Sequence, residues 1–255
     1  MIQIENVTKV YLDSSDRGVR ALHDVSFEVS EGEFVSLLGP SGCGKSTLLT
    51  IAAGLLPASS GVVRINGGEV TTPQTSVGFV FQSDVLLEWR TAEENVLLQM
   101  EARGLKSSEY RQRVRGLFNS MGLNGFEDAW PYQLSGGMRQ RVSICRSLIH
   151  DPLVLLMDEP FGALDALTRD QLGLDLLHLW DRQRRTAIFV THSIPEAVFL
   201  SDRVIVMTSR PGQVAEIVKV GLPRPRTLAM KETPEFLHDV ARIREIFLSG
   251  GVLHE

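Results

Sequence analysis

The chain has 255 residues, of which 43% are hydrophobic and 22% charged, and this balance excludes a disordered, collagen-like or coiled-coil protein. Its 26 lysines and arginines and 31 aspartates and glutamates give a formal net charge of −5, which disfavours nucleic acid as a partner. Two cysteines are too few for a disulfide framework or a four-ligand zinc site, so we expect a reducing, cytoplasmic setting.

The beginning of the chain predicts a sheet with one buried face. The stretches IQIENV and VSFEV alternate apolar and polar residues with period two, as half-buried antiparallel strands do. Glu5 interrupts the apolar stretch that a signal peptide would need, and no apolar run approaches the ~20 residues that span a bilayer. We therefore expect neither a signal peptide nor a membrane-spanning segment.

The middle of the chain predicts an α/β fold with a helical insertion. Short continuous apolar runs, typical of strands buried on both faces, are FVSLLG at 34–39, VGFVF at 77–81, LVLLM at 153–157 and AIFVT at 187–191. Helices are predicted at 92–103, 107–121 and 135–149, where no comparable strand pattern occurs. This order predicts an inserted helical subdomain at about 83–150 within an α/β core.

The C-terminal part predicts an extension beyond the main domain. The stretch VAEIVKV predicts a further strand, the proline-rich GLPRPR at 221–226 predicts a linker, and a helix is expected from about Pro234. We therefore divide the chain into a main domain at 1–220 and an extension at 221–255. The arginines at 182, 184, 185, 224 and 226 are assigned no role, because short charge runs usually face solvent.

A phosphate-binding loop is the strongest local motif. The stretch GPSGCGKST satisfies G-x-x-x-x-G-K-[ST] directly after a predicted strand and before a helical stretch. Backbone N–H groups of such a loop bind phosphate oxygens, Lys45 adds a positive charge, and Ser46 can ligate Mg²⁺. The predicted phosphate-binding set is Gly39, Pro40, Ser41, Gly42, Cys43, Gly44, Lys45, Ser46 and Thr47.

A second stretch supplies the carboxylates that phosphoryl transfer requires. In LVLLMDEP an apolar strand ends at two adjacent acidic residues, and ligands collect at this end of strands in α/β sheets. We expect Asp158 to hold Mg²⁺ and Glu159 to polarise the attacking water. A solvated strand end is the alternative for an isolated acidic pair.

The stretch LSGGMRQR at 134–141 resembles the signature motif of ATP-binding cassette (ABC) proteins. The resemblance implies a P-loop NTPase (RecA-like) core with an N-terminal antiparallel β subdomain and an inserted α-helical subdomain. It also implies that two copies pair head to tail, so that Ser135, Gly136 and Gly137 of one copy cover the ATP–Mg²⁺ held by the other. An ordinary serine N-cap with a glycine entry is the alternative interpretation.

Further positions match the same family one by one. The resemblance makes Tyr11 the aromatic residue that stacks on adenine and Gln82 the residue that senses Mg²⁺ and water. It places Asp165 in the motif ALD and gives His192 a contact with the γ-phosphate. The alternatives are a strand aromatic, a polar strand end, a helix N-cap and a loop histidine, respectively.

Two stretches narrow the resemblance to one branch of the family. FGALDALTRDQL and MTSRPGQVAEIV are similar to the nitrate/sulfonate/taurine branch of bacterial importers. This implies an ATPase on the cytoplasmic face of the inner membrane that energises a separate permease and, indirectly, serves a solute-binding protein. Another transport system, for vitamin precursors or for lipid export, remains open, as do a non-transport ABC ATPase and a regulatory module without turnover.

Two further hypotheses concern single side chains. Cys43, at a helix N-terminus beside Lys45, is in a setting that favours the reactive thiolate, although the position also suits any small residue. Leu86, Leu87 and Trp89 follow Gln82, and we expect this surface to dock on the permease; packing inside the helical subdomain is the alternative.

Overall fold

The computed structural model describes residues 2–12 and 18–250. The described strands are β1 (Ile2–Leu12), β2 (Gly18–Val29), β3 (Phe34–Leu38), β4 (Ser60–Ile65), β5 (Gly68–Glu69), β6 (Val77–Val80), β7 (Val154–Asp158), β8 (Thr186–Thr191), β9 (Arg203–Met207) and β10 (Val214–Lys219). The described α-helices are α1 (Lys45–Ala52), α2 (Ala92–Glu101), α3 (Arg111–Ser120), α4 (Gly136–Leu148), α5 (Ala166–Gln183), α6 (Ile194–Leu200) and α7 (Pro234–Ser249).

The chain divides into two units, of which unit 1 comprises Met1–Gln74 and Arg185–Glu255. Its first sheet is antiparallel, in the order β2-β1-β4-β5, and the predicted period-two strands β1 and β2 pair within it. A second group of strands runs in the order β10-β9-β3-β8. Strand β3 is parallel to both β8 and β9, while β10 is antiparallel to β9. Every residue of β3 and β8 is buried, as the continuous apolar runs predict.

Unit 2 comprises Thr75–Arg184 and contains the helical insertion. Strands β6 and β7 pair in parallel, and the helices α2, α3 and α4 pack against one another. Helix α2 begins with a capping box, in which the Thr91 hydroxyl accepts from the Glu94 N–H at 3.3 Å and the Glu94 carboxylate accepts from the Thr91 N–H at 2.9 Å. The α/β prediction, the antiparallel N-terminal sheet and the helical insertion are confirmed.

The observed bounds refine several predictions. The helix predicted at 107–121 is a short 3₁₀ turn at 107–109 followed by α3, and the C-terminal helix begins at Pro234 as expected. Strands β4, β5 and β9 and helices α5 and α6 are additional elements. Among the described residues, none of the helices combines the length and apolar character needed to cross a membrane.

Candidate active site

The phosphate loop connects β3 to α1 in unit 1. Gly44 is the N-cap residue of α1 and has φ +99°, a left-handed conformation that side chains rarely adopt. A Cβ atom there would lie 2.6 Å from Leu22 Cδ2 and 2.9 Å from the Ala21 carbonyl oxygen. Glycine at position 44 therefore satisfies both the backbone conformation and the close approach of β2.

The Lys45 side chain is held within this loop. Its Nζ donates to the carbonyl oxygens of Gly39 at 2.8 Å and Pro40 at 3.0 Å, and the residue is only 4% exposed. The Cys43 Sγ lies 4.0 Å from the same ammonium and is buried as well. The loop thus keeps a positive charge beside the backbone that the motif uses to bind phosphate.

A second segment of unit 1, within the stretch MTSRPGQVAEIV, supports the phosphate loop. The guanidinium of Arg210 lies 3.4 Å from the Gly42 carbonyl oxygen. A Cβ at Gly212 would overlap the Cys43 carbonyl oxygen, while the Gly212 N–H donates to Ala21 at 2.9 Å. The sequence resemblance gave no sign of this contact, because Arg210 and Gly42 are 168 residues apart along the chain.

Two other predicted residues of unit 1 lie at or beside the phosphate loop. The Tyr11 hydroxyl is 3.3 Å from the Thr47 hydroxyl, and Tyr11 is 43% exposed. His192 is exposed and follows directly after Thr191, which pairs with Leu38 in the parallel register of β3 and β8. Because Leu38 immediately precedes the loop, His192 and the loop leave neighbouring strands at the same edge.

Unit 2 brings together Gln82, Asp158 and Glu159. Strands β6 and β7 are parallel, with Val80 paired to Met157. Gln82 and Glu159 each lie two residues beyond this pair, so both are at the carboxyl edge of the two strands. The side chains predicted to sense and to activate water therefore leave adjacent strands of the same unit.

The backbone at Glu159 is in an unusual conformation. Its φ is +43°, in the left-handed region that costs a non-glycine residue energy, and its carbonyl oxygen accepts from the Gly162 N–H at 3.1 Å. Such strain is retained where the surrounding structure fixes a functional side chain. This conformation changes the direction of the backbone immediately after β7, the strand that ends at Asp158.

The signature residues lie at the start of α4. Ser135 is the N-cap, and its hydroxyl accepts from the Met138 N–H at 3.3 Å. Ser135 and Gly136 are exposed, whereas Gly137 is buried, and a Cβ on it would lie 2.6 Å from Thr168 Cγ2. The N-cap alternative is thus realised, and it leaves the helix N-terminus open to solvent at Ser135 and Gly136.

Asp165 is the N-cap of α5. Its carboxylate accepts from the Thr168 N–H at 3.0 Å, and hydrogen bonds from Thr168 lower the pKa of this exposed carboxyl. The alternative interpretation of Asp165 as a helix N-cap is therefore realised, and its role in the motif ALD at the nucleotide stays a prediction.

The segment after Gln82 is fixed by side chains that the sequence analysis missed. Asp84 pairs with Arg139 of α4 at 2.9 Å, and Arg146 of α4 donates to the carbonyl oxygens of Asp84 and Val85, both at 2.7 Å. The buried Asn95 amide donates to the carbonyl oxygens at 87, 90 and 91. The partners of Arg139 and Arg146 are more than 50 residues away in sequence, so no local pattern marked these two arginines.

The apolar residues that follow Gln82 differ in their exposure to solvent. Leu86 is 8% exposed, so the expectation that it needs an external partner is wrong. Trp89, in contrast, is 71% exposed. A large aromatic side chain is therefore presented to solvent by a segment whose backbone is held at several points.

The residues present suit a nucleotide with Mg²⁺. Hydroxyl and carboxylate oxygens, as at Ser46 and Asp158, are the ligands that this hard cation prefers. Within the described residues, His, Cys, Asp and Glu form no group of three that could hold a metal ion by themselves. Mg²⁺ commonly takes its remaining ligands from substrate phosphates and water, so a single protein ligand suffices to contribute to such a site.

Comparison with known proteins identifies the class. The sequence pattern described as "ABC transporter" matches residues 22–162. An uncharacterised ABC transporter ATP-binding protein of Methanocaldococcus jannaschii is 48% identical over 242 residues, which cover 95% of this chain and 90% of that protein. The aliphatic sulfonates import ATP-binding protein of Bacillus cereus is 41% identical over 252 residues, 99% of this chain and 98% of that protein.

Solved structures agree with this result. A dimeric bacterial ABC transporter cassette superposes with a TM-score of 0.77 at 35% identity, covering 86% of this chain and 98% of that one. A dimeric post-hydrolysis state of an ATP-binding cassette bound to ADP and Pi gives a TM-score of 0.76 at the same identity and coverage. The chain belongs to the ABC transporter family. It has the P-loop NTPase fold and is an ATP-binding ATPase of that family.

Proposed function

We propose that the chain is the ATP-hydrolysing subunit of an importer for a small sulfonate-type solute, which enters through a separate membrane permease. One observation carries the substrate class: the similarity to the sulfonate-import protein extends over 99% of this chain and 98% of that protein. Nitrate belongs to the same predicted branch and is the alternative that the experiment must separate, whereas taurine is itself a small sulfonate.

The phosphate loop and His192 supply the binding groups in this proposal. The loop N–H groups and Lys45 bind the phosphates, and Tyr11 stacks on adenine beside Thr47, with which it is already in contact. His192 contacts the γ-phosphate. Ser46, Gln82 and Asp158 are proposed to hold Mg²⁺, which neutralises phosphate charge when bound.

Glu159 is the proposed catalytic base. Its carboxylate orients and polarises the attacking water, and Gln82 senses the same water. The strained backbone at Glu159 and its place at the carboxyl edge of β7 support this role. Phosphoryl transfer needs positioned charge more than covalent chemistry, and fixed carboxylate and amide groups provide it.

Two copies of the chain are proposed to form the working ATPase. The exposed N-terminus of α4, with Ser135 and Gly136, is suited to bind the γ-phosphate of ATP held by a second copy, because unpaired N–H groups and the helix dipole favour an anion. Gly137 and Asp165 shape the surrounding turn. The dimeric state of the similar cassettes supports this arrangement.

The docking surface for the permease is proposed to be residues 82–90. Trp89 is 71% exposed there, and buried aromatic anchors dominate the energetics of many interfaces. Docking at this surface would place the chain on the cytoplasmic face of the membrane as a peripheral subunit. A solute-binding protein would act only indirectly, through the permease.

The experiment is an uptake assay in the source cells after deletion of the gene. We expect uptake of a labelled alkanesulfonate to be lost, to return with the wild-type gene, and not to return with Lys45→Ala. Lys106→Ala, a change at an exposed lysine, is the matched control and should restore uptake. Unchanged uptake of the alkanesulfonate and of taurine, with lost nitrate uptake, would contradict the substrate class.

A further inference from the structure

The C-terminal extension packs on α6, the helix that follows His192. We call residues 220–249 the strap. Its helix α7 buries one apolar face formed by Phe236, Val240, Ile243 and Phe247. The Lys231 ammonium lies 4.7 Å from the centre of the Phe199 ring on α6. The strap is therefore an integral part of unit 1.

Arg226 of the strap binds the C-terminal end of α6. Its guanidinium donates to the carbonyl oxygens of Val198 at 3.1 Å, Phe199 at 2.7 Å and Ser201 at 2.8 Å. A further bond at 3.4 Å reaches Leu222 within the strap, and Arg226 is only 2% exposed. The expectation that this arginine is solvated is wrong.

Arg224 completes the same contact. It donates to the Leu200 carbonyl oxygen at 2.8 Å and pairs with Asp202 at 2.9 Å. The Asp202 carboxylate also accepts from the N–H of Phe34, the first residue of β3, at 2.9 Å. The two arginines thus satisfy the carbonyl groups of residues 198–201 and connect the end of α6 to the strand that leads into the phosphate loop.

These contacts stabilise the C-terminal end of a short helix. The last carbonyl groups of any helix lack intrahelical partners and carry the negative end of its dipole, so cations stabilise that end. Helix α6 has seven residues and is about 10 Å long. Fixing its C-terminal end therefore restricts the orientation of the entire helix.

The other end of α6 adjoins His192. Ser193 is the N-cap, its hydroxyl accepting from the Glu196 N–H at 3.4 Å. The Thr191 hydroxyl donates to the Glu196 carboxylate at 2.7 Å and accepts from the Ser193 N–H at 3.0 Å. His192 thus lies between two residues that are both bonded to the first turn of α6, so its position depends on that of the helix.

We infer that Arg226, supported by Arg224, is a positioning residue that sets His192 through α6. The inference rests on the proposed role of His192 at the γ-phosphate. The strap then contributes to turnover without touching the nucleotide. The strap affects only the step of turnover in which His192 takes part. It leaves the binding of ATP by the phosphate loop unchanged.

The test is a double-mutant cycle on the full chain with Arg226→Gln and His192→Ala. We expect Arg226→Gln to lower kcat about tenfold, because small misplacements of a catalytic group cost one to two orders of magnitude. Mg-ATP affinity should stay within about twofold. In the His192→Ala background the same change should lower the residual kcat less than about twofold, because residues acting as a unit are not additive.

A matched control and a conservative variant complete the design. Arg242→Gln removes an exposed strap arginine that pairs with Glu216, and we expect wild-type kcat. If Arg226→Gln does not fold, Arg226→Lys replaces it, because a single ammonium cannot span the same set of carbonyl oxygens but keeps the charge. That variant should shift the imidazole NMR signals of His192 in histidine-labelled protein, assigned by comparison with His192→Ala.

The outcomes distinguish the positioning role of Arg226 from the proposed role of His192. An equal loss of kcat in both backgrounds, no loss at all, or unshifted His192 signals in Arg226→Lys would overturn the positioning role alone. Wild-type kcat in His192→Ala would instead show that the proposed role of His192 is wrong, and this inference would fall with it.

Discussion

Replacing Trp89 by alanine tests the docking surface, with Leu86→Ala as its matched control. Both side chains belong to the segment that follows Gln82, but Trp89 is 71% exposed and Leu86 is 8% exposed. Truncating a buried leucine removes about 2–5 kcal/mol of stability, whereas an exposed substitution stays within about 0.5 kcal/mol. The two variants should therefore differ clearly in the free energy of unfolding.

The expected thermal shifts follow from the size of the chain. For a domain of this size, 1 kcal/mol moves the Tm by roughly 2–4 °C. Leu86→Ala should thus lower the Tm by at least about 4 °C, and Trp89→Ala by no more than about 2 °C. Basal ATPase activity of the isolated Trp89→Ala chain should equal that of the wild type.

Trp89→Ala should, in contrast, clearly weaken binding to the solubilised cognate permease. Loss of an aromatic anchor typically costs at least about 2 kcal/mol, which weakens the Kd about 30-fold. Solute-stimulated ATPase activity should fall in parallel. A Tm lowered by several degrees in Trp89→Ala, or permease affinity equal to the wild type, would refute the docking role.

Two further predictions concern the phosphate loop. Lys45→Ala should weaken Mg-ATP binding about 10- to 150-fold in calorimetry, since one charge-assisted contact contributes about 1.5–3 kcal/mol; wild-type affinity would contradict the assignment. Alkylation of Cys43 should block ATPase activity and slow down roughly 100-fold at ATP concentrations 100 times the Kd, if only the ATP-free loop reacts. Cys145 should react more slowly, because burial raises the pKa of its thiol; peptide mapping that finds Cys145 modified first would contradict this order.

Much of the fold could be predicted from local sequence patterns. The apolar runs that became β3, β7 and β8 are strands buried between neighbouring elements, and such burial leaves a continuous hydrophobic signal. Strand β9 carries a similar run, yet its charged first residue and the following turn obscured it. Helix α5 was missed because it begins directly after the motif ALD, whose Asp165 is its N-cap, and this stretch was interpreted only by its family resemblance.

In the candidate site as well, only residues within local sequence motifs could be predicted. Residues within motifs, such as Lys45 and Glu159, could be identified because phosphate chemistry fixes their spacing along the chain. Arg146 and Arg226 could not, because each bonds to backbone carbonyl groups far away in sequence. Every residue type has a backbone carbonyl group, so the sequence does not show which carbonyl groups accept such bonds. Only the folded structure shows these partners.

Turnover by Glu159→Gln tests the central claim most directly. The change keeps the size of the side chain but removes the base, so we expect kcat to fall more than roughly a hundredfold while Mg-ATP affinity is retained. Sedimentation in Mg-ATP should then detect a stable dimer, because ATP remains bound between the copies. Glu109→Gln, at an exposed glutamate, is the control and should turn over as the wild type does. Near wild-type turnover in Glu159→Gln, or a chain that stays monomeric with ATP bound, would contradict the account.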